Sequence, residues 1–437
     1  MKKFKIITLG CKVNQAESEA LGETLATPDW QPAEDSEAAE IYIINTCAVT
    51  QKAAMQSRQA VRQAIHANPQ ARVVVTGCYA QTEPQALAEI EGLDCILDQA
   101  GKQKLAEMIG RGELTKSPRP VIFQPTPGAA PAFAAAKPVP SAHRTRPFLK
   151  IQDGCDAFCT YCIVPYGRGR SRSMALSAVL DSISALVAQD VREVVLTGIH
   201  LGHYGRDLEP ACGLLQLLQA IAGLKSSIRV RLSSIEPLEL TDDLLSLVAR
   251  SDRFCRHFHI PLQSGDPAIL KRMGRPYSPE FFGELVQKIR TMMPDAAIGA
   301  DVLVGFPGET EAAFANTISL IERLPVSYLH VFPFSARPGT AACEFSDTVP
   351  AGAIKERCRR LRQLGQQQRT FFYRSFIGHR VAVLAEGRRD PATGLLKGVS
   401  ANYLPVLFAG NDRLKNTIVH VTIDRESAGS LFGTAGS

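Results

Sequence analysis

The sequence predicts an α/β protein in three globular parts. These are an N-terminal doubly wound parallel-sheet domain, a central partial (β/α)6 barrel and a C-terminal small β-barrel. Three observations predict it. Short apolar runs alternate with amphipathic helical stretches twice along the chain, the pattern that builds parallel sheets. A Pro/Ala-rich stretch separates the two alternations. After a long basic helix the pattern turns to short strands parted by Gly, Asn and Asp.

Residues 1–112 form the first part. Phe4–Leu9, Glu40–Asn45, Arg72–Thr76 and Leu93–Leu97 read as buried strands, with helical segments such as Glu17–Leu25 and Ala53–Ala67 between them. Ligands of such sheets bind at the carboxyl ends of the strands. Residues 113–146, with Ser-Pro-Arg-Pro and Lys-Pro-Val-Pro-Ser, read as a linker. Residues 147–370 carry six candidate strands: Phe148–Gln152, Glu193–Thr197, Arg229–Ser233, His257–Pro261, Ile298–Val304 and Tyr328–Phe334. Helical stretches at Ala175–Ala188, Leu214–Leu224, Asp242–Ala249, Phe281–Met292 and Glu311–Leu324 complete the units, and a barrel's reactive groups belong at its strands' carboxyl ends. Ile354–Phe372 reads as a long basic helix. Residues 371–437 then offer the short strands His379–Ala385, Leu404–Phe408 and Thr417–Ile423.

The chain has 437 residues, 45% of them hydrophobic, so a large core is expected. No apolar run approaches the length needed to span a bilayer, which excludes an integral membrane protein of the helical kind. Eleven cysteines without a signal peptide point to a reducing cytoplasm and to metal or catalytic use, not to a disulfide framework. The net charge is +6, but residues 351–437 alone carry 14 Lys+Arg against 6 Asp+Glu. That asymmetry suits a polyanionic partner at the C-terminal end, the alternative being a solvated helix face.

Six cysteines carry the chemistry. Cys155, Cys159 and Cys162 form a C-x3-C-x2-C after the first barrel strand. Cys11, Cys47 and Cys78 end the phrases Thr-Leu-Gly-Cys, Ile-Asn-Thr-Cys and Val-Thr-Gly-Cys, each at a strand's carboxyl end, where the fold can gather them. Cys95 falls inside a strand and reads as core. Three thiolates leave a metal centre one ligand short, and an open position usually means chemistry. A zinc site with a distant fourth ligand is the alternative for the compact set. Buried small hydrophobes are the alternative for the dispersed one.

The compact motif resembles that of the radical S-adenosylmethionine enzymes. That resemblance implies a [4Fe–4S] cluster whose fourth iron holds S-adenosyl-L-methionine and whose electron yields a 5′-deoxyadenosyl radical. Tyr161, before the last cysteine, matches the aromatic position near the adenine, or else is a packed aromatic. Gly198 and His200, in Thr-Gly-Ile-His, resemble the segment that receives the cofactor's amino group. Ser234, Glu236, Gln263 and Val304 end further strands and would complete the cofactor site, unless these segments are loop turns and helix caps.

The dispersed cysteines narrow the resemblance. Leu9-Gly10-Cys11-Lys12-Val13-Asn14-Gln15, Asn45-Thr46-Cys47-Ala48-Val49-Thr50 and Gly77-Cys78-Tyr79-Ala80-Gln81 resemble the methylthiotransferase family, over nearly the whole chain. The resemblance implies a second, auxiliary [4Fe–4S] cluster on Cys11, Cys47 and Cys78 that carries the sulfur, and a C-terminal domain of the TRAM type. It implies methylthiolation of carbon 2 of a modified adenosine in tRNA, most like the N6-threonylcarbamoyladenosine branch. An electron donor and a sulfur source would be partners. The alternatives are N6-isopentenyladenosine, a ribosomal-protein aspartate, or a non-catalytic RNA-binding iron–sulfur protein. Arg168, Arg170 and Arg172 would touch RNA phosphates or the threonylcarbamoyl carboxylate, or else form a solvated or carboxylate-paired face. Asn402 and Tyr403 offer a polar and aromatic turn for RNA.

Overall fold

The computed structural model describes residues 1–34, 37–123, 133 and 144–436. The first sheet is parallel throughout. Its strands are β1 (Lys2–Thr8), β2 (Trp30–Pro32), β3 (Ile41–Thr46), β4 (Arg72–Gly77), β5 (Cys95–Leu97) and β6 (Val121–Phe123), in the order β2-β1-β3-β4-β5-β6. Every residue of β3 is buried, because helices cover both faces and polar alternation is lost. Thr50 caps the helix Gln51–Ala67 by accepting the Ala53 N–H at 3.0 Å, and Asp98 caps Gln99–Gly110 in the same way. Two strands differ from the sequence reading. β2 is a three-residue edge strand, and β6 pairs with β5 inside the stretch expected as linker. The rest of that linker falls largely outside the described residues.

The second part holds β7 (Phe148–Lys150), the short pair β8 (Gln152–Asp153) and β9 (Arg172–Ser173), then β10 (Glu193–Thr197), β11 (Arg229–Leu232), β12 (His257–Gln263), β13 (Ala297–Val304) and β14 (Tyr328–Pro333). β7, β10 and β11 form one parallel sheet and β12, β13 and β14 another. Single parallel bridges, Val230 to Phe254 and Ser234 to His259, join them. The result is the expected six-strand open barrel, with an aliphatic core that includes Leu149, Leu196, Val230, Ile260 and Phe282. The basic helix spans Ala351–Arg374, so a boundary at residue 370 would cut it. Gly365 lets it settle on β14: a Cβ there would lie 3.0 Å from Leu329.

The C-terminal part is a closed five-strand barrel of β15 (Arg380–Arg389), β16 (Leu396–Ser400), β17 (Pro405–Phe408), β18 (Ile418–Ser427) and β19 (Ser430–Ala435). Its turn at residues 400–403 sits against the amino ends of the central barrel's strands. Arg231 donates to the carbonyls of Ser400 (2.9 Å) and Ala401 (3.1 Å), and Arg229 to that of Ala382 (3.1 Å). Glu193 accepts from both arginines.

Candidate functional site

Cys11, Cys47 and Cys78 follow the adjacent strands β1, β3 and β4. The strand order reverses between β1 and β3, so the crevice of this sheet opens where the cysteines stand. Glycines let the strand ends converge. Gly10 has φ +94°, and a Cβ there would lie 2.8 Å from Cys47 Sγ. Gly77 has φ +95°, and a Cβ would lie 2.5 Å from the Thr46 carbonyl oxygen. Asn14 ties the loops by donating to the carbonyls of Leu9 (2.7 Å) and Thr46 (3.0 Å). Thr46 Oγ1 donates to the Thr76 carbonyl at 2.6 Å and accepts from the Ala80 N–H at 3.2 Å. The three thiols lie within electrostatic reach of one another. Cys47 and Cys78 are buried and Cys11 is exposed, so the set is open on one side.

The compact set sits at the carboxyl end of the first barrel strand. Gln152 anchors its loop, donating to the carbonyls of Asp153 (3.0 Å) and Gly154 (2.8 Å) and accepting from the His200 N–H at 2.8 Å. Arg275 donates to Cys159 Sγ at 3.2 Å and is paired with Glu236. His200 Nδ1 lies 3.4 Å from Cys155 Sγ, and its Nε2 lies 2.7 Å from Glu239. Burial pushes the Cys162 thiol up to about 12 and the Cys47 thiol up to about 11. Such thiols lose their protons when a metal takes the proton's place. Two sets of three converging sulfurs, one with a guanidinium beside it, fit an anionic iron–sulfur cluster in each.

The segments that carry the two sets pack on each other. Ile163, next to Cys162, is buried in the same apolar cluster as Cys78 and Tyr79 of the first domain. The helix Val164–Arg168 packs on Cys78–Thr82, so closely that a Cβ at Gly167 would lie 3.4 Å from Cys78 Cβ. The Gln51 N–H donates to Ser335 Oγ at 2.9 Å, and Arg337 pairs with Glu83 across the same seam. A cavity of about 200 Å³ opens there, lined by Thr50, Tyr161, Cys162, Gln263, Asp301 and Phe334, among others. A larger depression of about 740 Å³ lies between outer helices, and no cysteine lines it.

A buried charge network underlies the seam. Glu17 accepts from Arg168 (2.9 Å), Lys102 (2.6 Å) and Lys150 (2.9 Å), and Asp153 from Arg168 (2.8 Å) and Arg172 (3.0 Å). Burial alone would raise the Glu17 carboxyl, but Arg168, Lys102 and Lys150 hold it well below the usual range.

Several expected roles change here. Arg168 is 2% exposed and committed to carboxylates, so it cannot meet RNA. Arg172 spends its guanidinium on Asp153 and the Arg168 carbonyl, while Arg170 remains exposed. Asn402 is buried, accepting from Ser400 Oγ and donating to the Asp295 carbonyl at 2.9 Å. Tyr403 stacks on His257 with ring centroids 4.3 Å apart. Both residues belong to the turn that seats the C-terminal barrel; Asn402 is thereby withdrawn from any RNA surface, whereas Tyr403 stays exposed. Val304 is 0% exposed and packs in the barrel core, which removes its side chain from the cofactor site. Gly198 has a packing reason: a Cβ there would lie 2.8 Å from Gln152 Oε1. Tyr161, His200, Glu236 and Gln263 gather at the compact set or the cavity, and Ser234 is exposed at the seam of the two barrel sheets. Gln152, Glu239 and Arg275 escape a reading of the sequence, because only the fold brings them to the cysteines.

Known proteins are similar to this chain. The family model described as "Uncharacterized protein family UPF0004" matches residues 3–114, and that of the radical SAM superfamily matches residues 149–321. The chain is 38% identical to the threonylcarbamoyladenosine tRNA methylthiotransferase MtaB of Bacillus subtilis, over 95% of this chain and 92% of that protein. It is 32% identical to a tRNA-2-methylthio-N(6)-dimethylallyladenosine synthase of Pelotomaculum thermopropionicum, over 99% of this chain and 97% of that one. Among solved structures, the radical S-adenosylmethionine methyltransferase TsrM of Kitasatospora setae superposes with a TM-score of 0.53 at 16% identity, covering 78% of this chain and 74% of that one. That likeness concerns the fold.

Proposed function

Because the chain belongs to the radical S-adenosylmethionine tRNA methylthiotransferase family, we propose that it places a methylthio group on carbon 2 of N6-threonylcarbamoyladenosine in tRNA. The observation that carries this reading is two sets of three cysteines on loops that pack together beside a cavity reached by Cys162, in a chain matched almost end to end by a relative of that name. The cysteines would hold two [4Fe–4S] clusters, which together with S-adenosyl-L-methionine would supply the electron, the methyl group and the sulfur. The protein's own residues do the positioning. Gln152 and Arg275 fix the compact loop, and His200 with Glu239 holds the side of Cys155. Tyr161, Phe332 and Phe334 give the cavity apolar walls that exclude water from a reactive species. Gln263 and Asp301 supply polar contacts within it. Exposed Arg170, the basic helix Ala351–Arg374 and the C-terminal barrel, read as a TRAM domain, provide the electrostatic footing for tRNA. No helix is long and apolar enough to cross a membrane. This reading has the protein working in the cytoplasm, with an electron donor and a sulfur source as partners.

Mass spectrometry of tRNA nucleosides tests the substrate. A strain lacking this protein should lose 2-methylthio-N6-threonylcarbamoyladenosine and keep 2-methylthio-N6-isopentenyladenosine, and the reverse pattern would sink the assignment. The two cysteine sets separate in vitro. Cys159→Ala should abolish cleavage of S-adenosylmethionine, whereas Cys78→Ala should keep some cleavage and lose sulfur insertion. The reconstituted protein should hold about eight irons.

A further inference from the structure

One face of the central barrel carries rings where its other face carries a core. Phe258 and Ile260 of β12, Ile298 and Ala300 of β13, and Leu329 and Val331 of β14 pack toward the helices. The residues that alternate with them share the opposite, inner face. Those on β14 are Tyr328, His330 and Phe332, paired in register with Gly299, Asp301 and Leu303 of β13. With Tyr403 of the C-terminal barrel they make a continuous row. Ring centroids lie 6.1 Å apart from Tyr403 to Tyr328, 5.3 Å from Tyr328 to His330 and 6.3 Å from His330 to Phe332. Phe332 lines the cavity that Cys162 reaches. The row thus runs from the closure turn to the cysteines. Its polar atoms mostly bond one another. The Tyr328 hydroxyl lies 2.7 Å from His257 Nε2 and 3.2 Å from His259 Nδ1, and Asp301 Oδ1 lies 2.7 Å from His259 Nε2 and 3.4 Å from His330 Nδ1. The ring faces stay open: Tyr403 is 40% exposed, Phe332 45% and the His330 side chain 52%. The row is also rigid. Gly299 leaves room for Tyr328, since a Cβ there would lie 2.1 Å from its ring, and Tyr403 is held at φ +65°, a region that bulky residues rarely adopt.

A rigid row of half-exposed rings, with its hydrogen-bonding groups spent, suits flat ligands that stack. An extended peptide would need backbone partners that this wall does not offer. Unpaired nucleobases need only ring faces, and the substrate read above is a nucleobase of tRNA. The cavity of about 200 Å³ at the end of the row has room for a base and its substituent, not for a duplex. We propose that Tyr403, His330 and Phe332 form a stacking track for unpaired bases of the tRNA substrate, which leads the target adenosine to the cavity beside Cys162. This rests on the substrate reading above and adds the surface that delivers the base. Stacking is tolerant of sequence, so the track positions the loop and leaves selection of the substituent to the cavity. The track also gives the C-terminal barrel a part in binding that does not depend on charge, because Tyr403 starts a row that the central barrel completes.

The test uses full-length reconstituted protein and three RNAs of equal length. One is an anticodon stem-loop carrying the threonylcarbamoyl adenosine, one is the same stem-loop with abasic nucleotides flanking that adenosine, and one is a fully paired hairpin. Wild-type protein should bind the first at least about 5-fold more tightly than the second, the lower end of what one stacked base contributes. Tyr403→Leu and His330→Leu should each weaken the intact stem-loop by about 5- to 150-fold and leave the hairpin unchanged. Tyr403→Phe and His330→Phe keep a ring in place and should keep most of the affinity. The proposal is overturned if wild-type protein binds the abasic stem-loop as tightly as the intact one, or if the leucine variants weaken hairpin and stem-loop equally, as a phosphate contact or a loosened closure would. It is overturned as well if those variants weaken binding of S-adenosylmethionine and not of the stem-loop, which would assign the row to the cofactor. The abasic comparison needs no variant and so stands even if Tyr403→Leu fails to fold. Separately, wild-type protein that prefers the intact stem-loop to the abasic one yet leaves it without a methylthio group overturns the substrate reading and not the track.

Discussion

A methyl group at Gly77 has nowhere to go. The backbone there is at φ +95° and ψ −169°, a region essentially reserved for glycine, and the added carbon would meet the Thr46 carbonyl at 2.5 Å. Gly77→Ala should cost about 1–3 kcal/mol in the backbone alone and push Cys78 away from Cys47. The variant should retain about four irons of eight and still cleave S-adenosylmethionine, and iron analysis with a cleavage assay checks both. Arg168 makes a different point. Replacing it with Met leaves Glu17 and Asp153 buried without their shared guanidinium, which should cost roughly 3–5 kcal/mol in a denaturant melt. Arg170→Ala should leave stability within about 0.5 kcal/mol and weaken tRNA binding alone. In the sequence these arginines form one Arg-x-Arg-x-Arg run and look equivalent. They differ because Glu17, 151 residues from Arg168, is brought to only one end of the run. The cysteines are legible in the sequence because ligand residues are few in kind and their spacing is telling. Arg275, which touches Cys159, is not, because nothing local distinguishes it from a surface arginine.

At the scale of elements, legibility follows length. The apolar runs Ile41–Ile44 of β3 and Val73–Val75 of β4 announce buried parallel strands, and the cysteines just beyond them follow from that geometry. β2 and β6 have three residues each, too few to show a period, and β6 lies in a Pro-rich context that argues for a linker. Gly398 makes β16 look like part of a turn. That glycine is in the strand because β15 crosses it closely: a Cβ would lie 2.4 Å from the Leu384 carbonyl oxygen. The segment from Cys155 to Ser173 is an element of another kind, irregular around the cysteines before its one-turn helix Val164–Arg168, yet held at both ends. Gln152 and Arg275 hold the cysteines, and Ile163 plugs the loop into the first domain's core. Ile163→Ala should loosen that plug at a cost of about 2–5 kcal/mol. Because the thiols themselves stay in place, cleavage of S-adenosylmethionine should survive better than methylthio transfer. The ratio of methylthiolated nucleoside to 5′-deoxyadenosine reads this directly. An unchanged ratio would mean that the seam does not set the distance between the two sets.

The whole molecule is assembled by its C-terminal barrel as well as by its seam. The charge excess of residues 351–437 suggests an RNA-binding appendage, removable without harm to the rest. The structure makes it a closure: its 400–403 turn meets Arg231, His257 and Asp295, and its Ala382 carbonyl meets Arg229, at the amino end of the central barrel. Truncation after Gly378 would therefore expose a buried charge group along with removing a basic surface. A cleaner test of RNA binding reverses exposed charges on the intact barrel. Arg380→Glu with Arg413→Glu should reduce the slope of log affinity against log salt by about 0.9 for each phosphate that is no longer neutralised.

Glu193 tests the closure itself. The carboxylate is fully buried, accepts from Arg229 at 2.7 Å and from Arg231 at 2.8 Å, and so holds both guanidiniums against the carbonyls of the C-terminal barrel. Burial raises its pKa, but Arg231 and Arg229 outweigh burial and leave it below the ordinary glutamate value. A depressed folded-state pKa means that the unfolded chain binds the proton more readily. The stabilisation is thus fully present above the unfolded value of about 4.3, and it is lost as pH falls toward the lower folded value. Glu193→Gln removes the charge at every pH and leaves two buried arginines short of a counter-ion, a loss of roughly 3–5 kcal/mol near neutrality. Thermal unfolding of both proteins should therefore show a wide gap at pH 7 that narrows once the pH drops below about 4.3, as the wild type loses what the variant never had. A gap of constant width across that range would show that Glu193 acts by packing and not by charge.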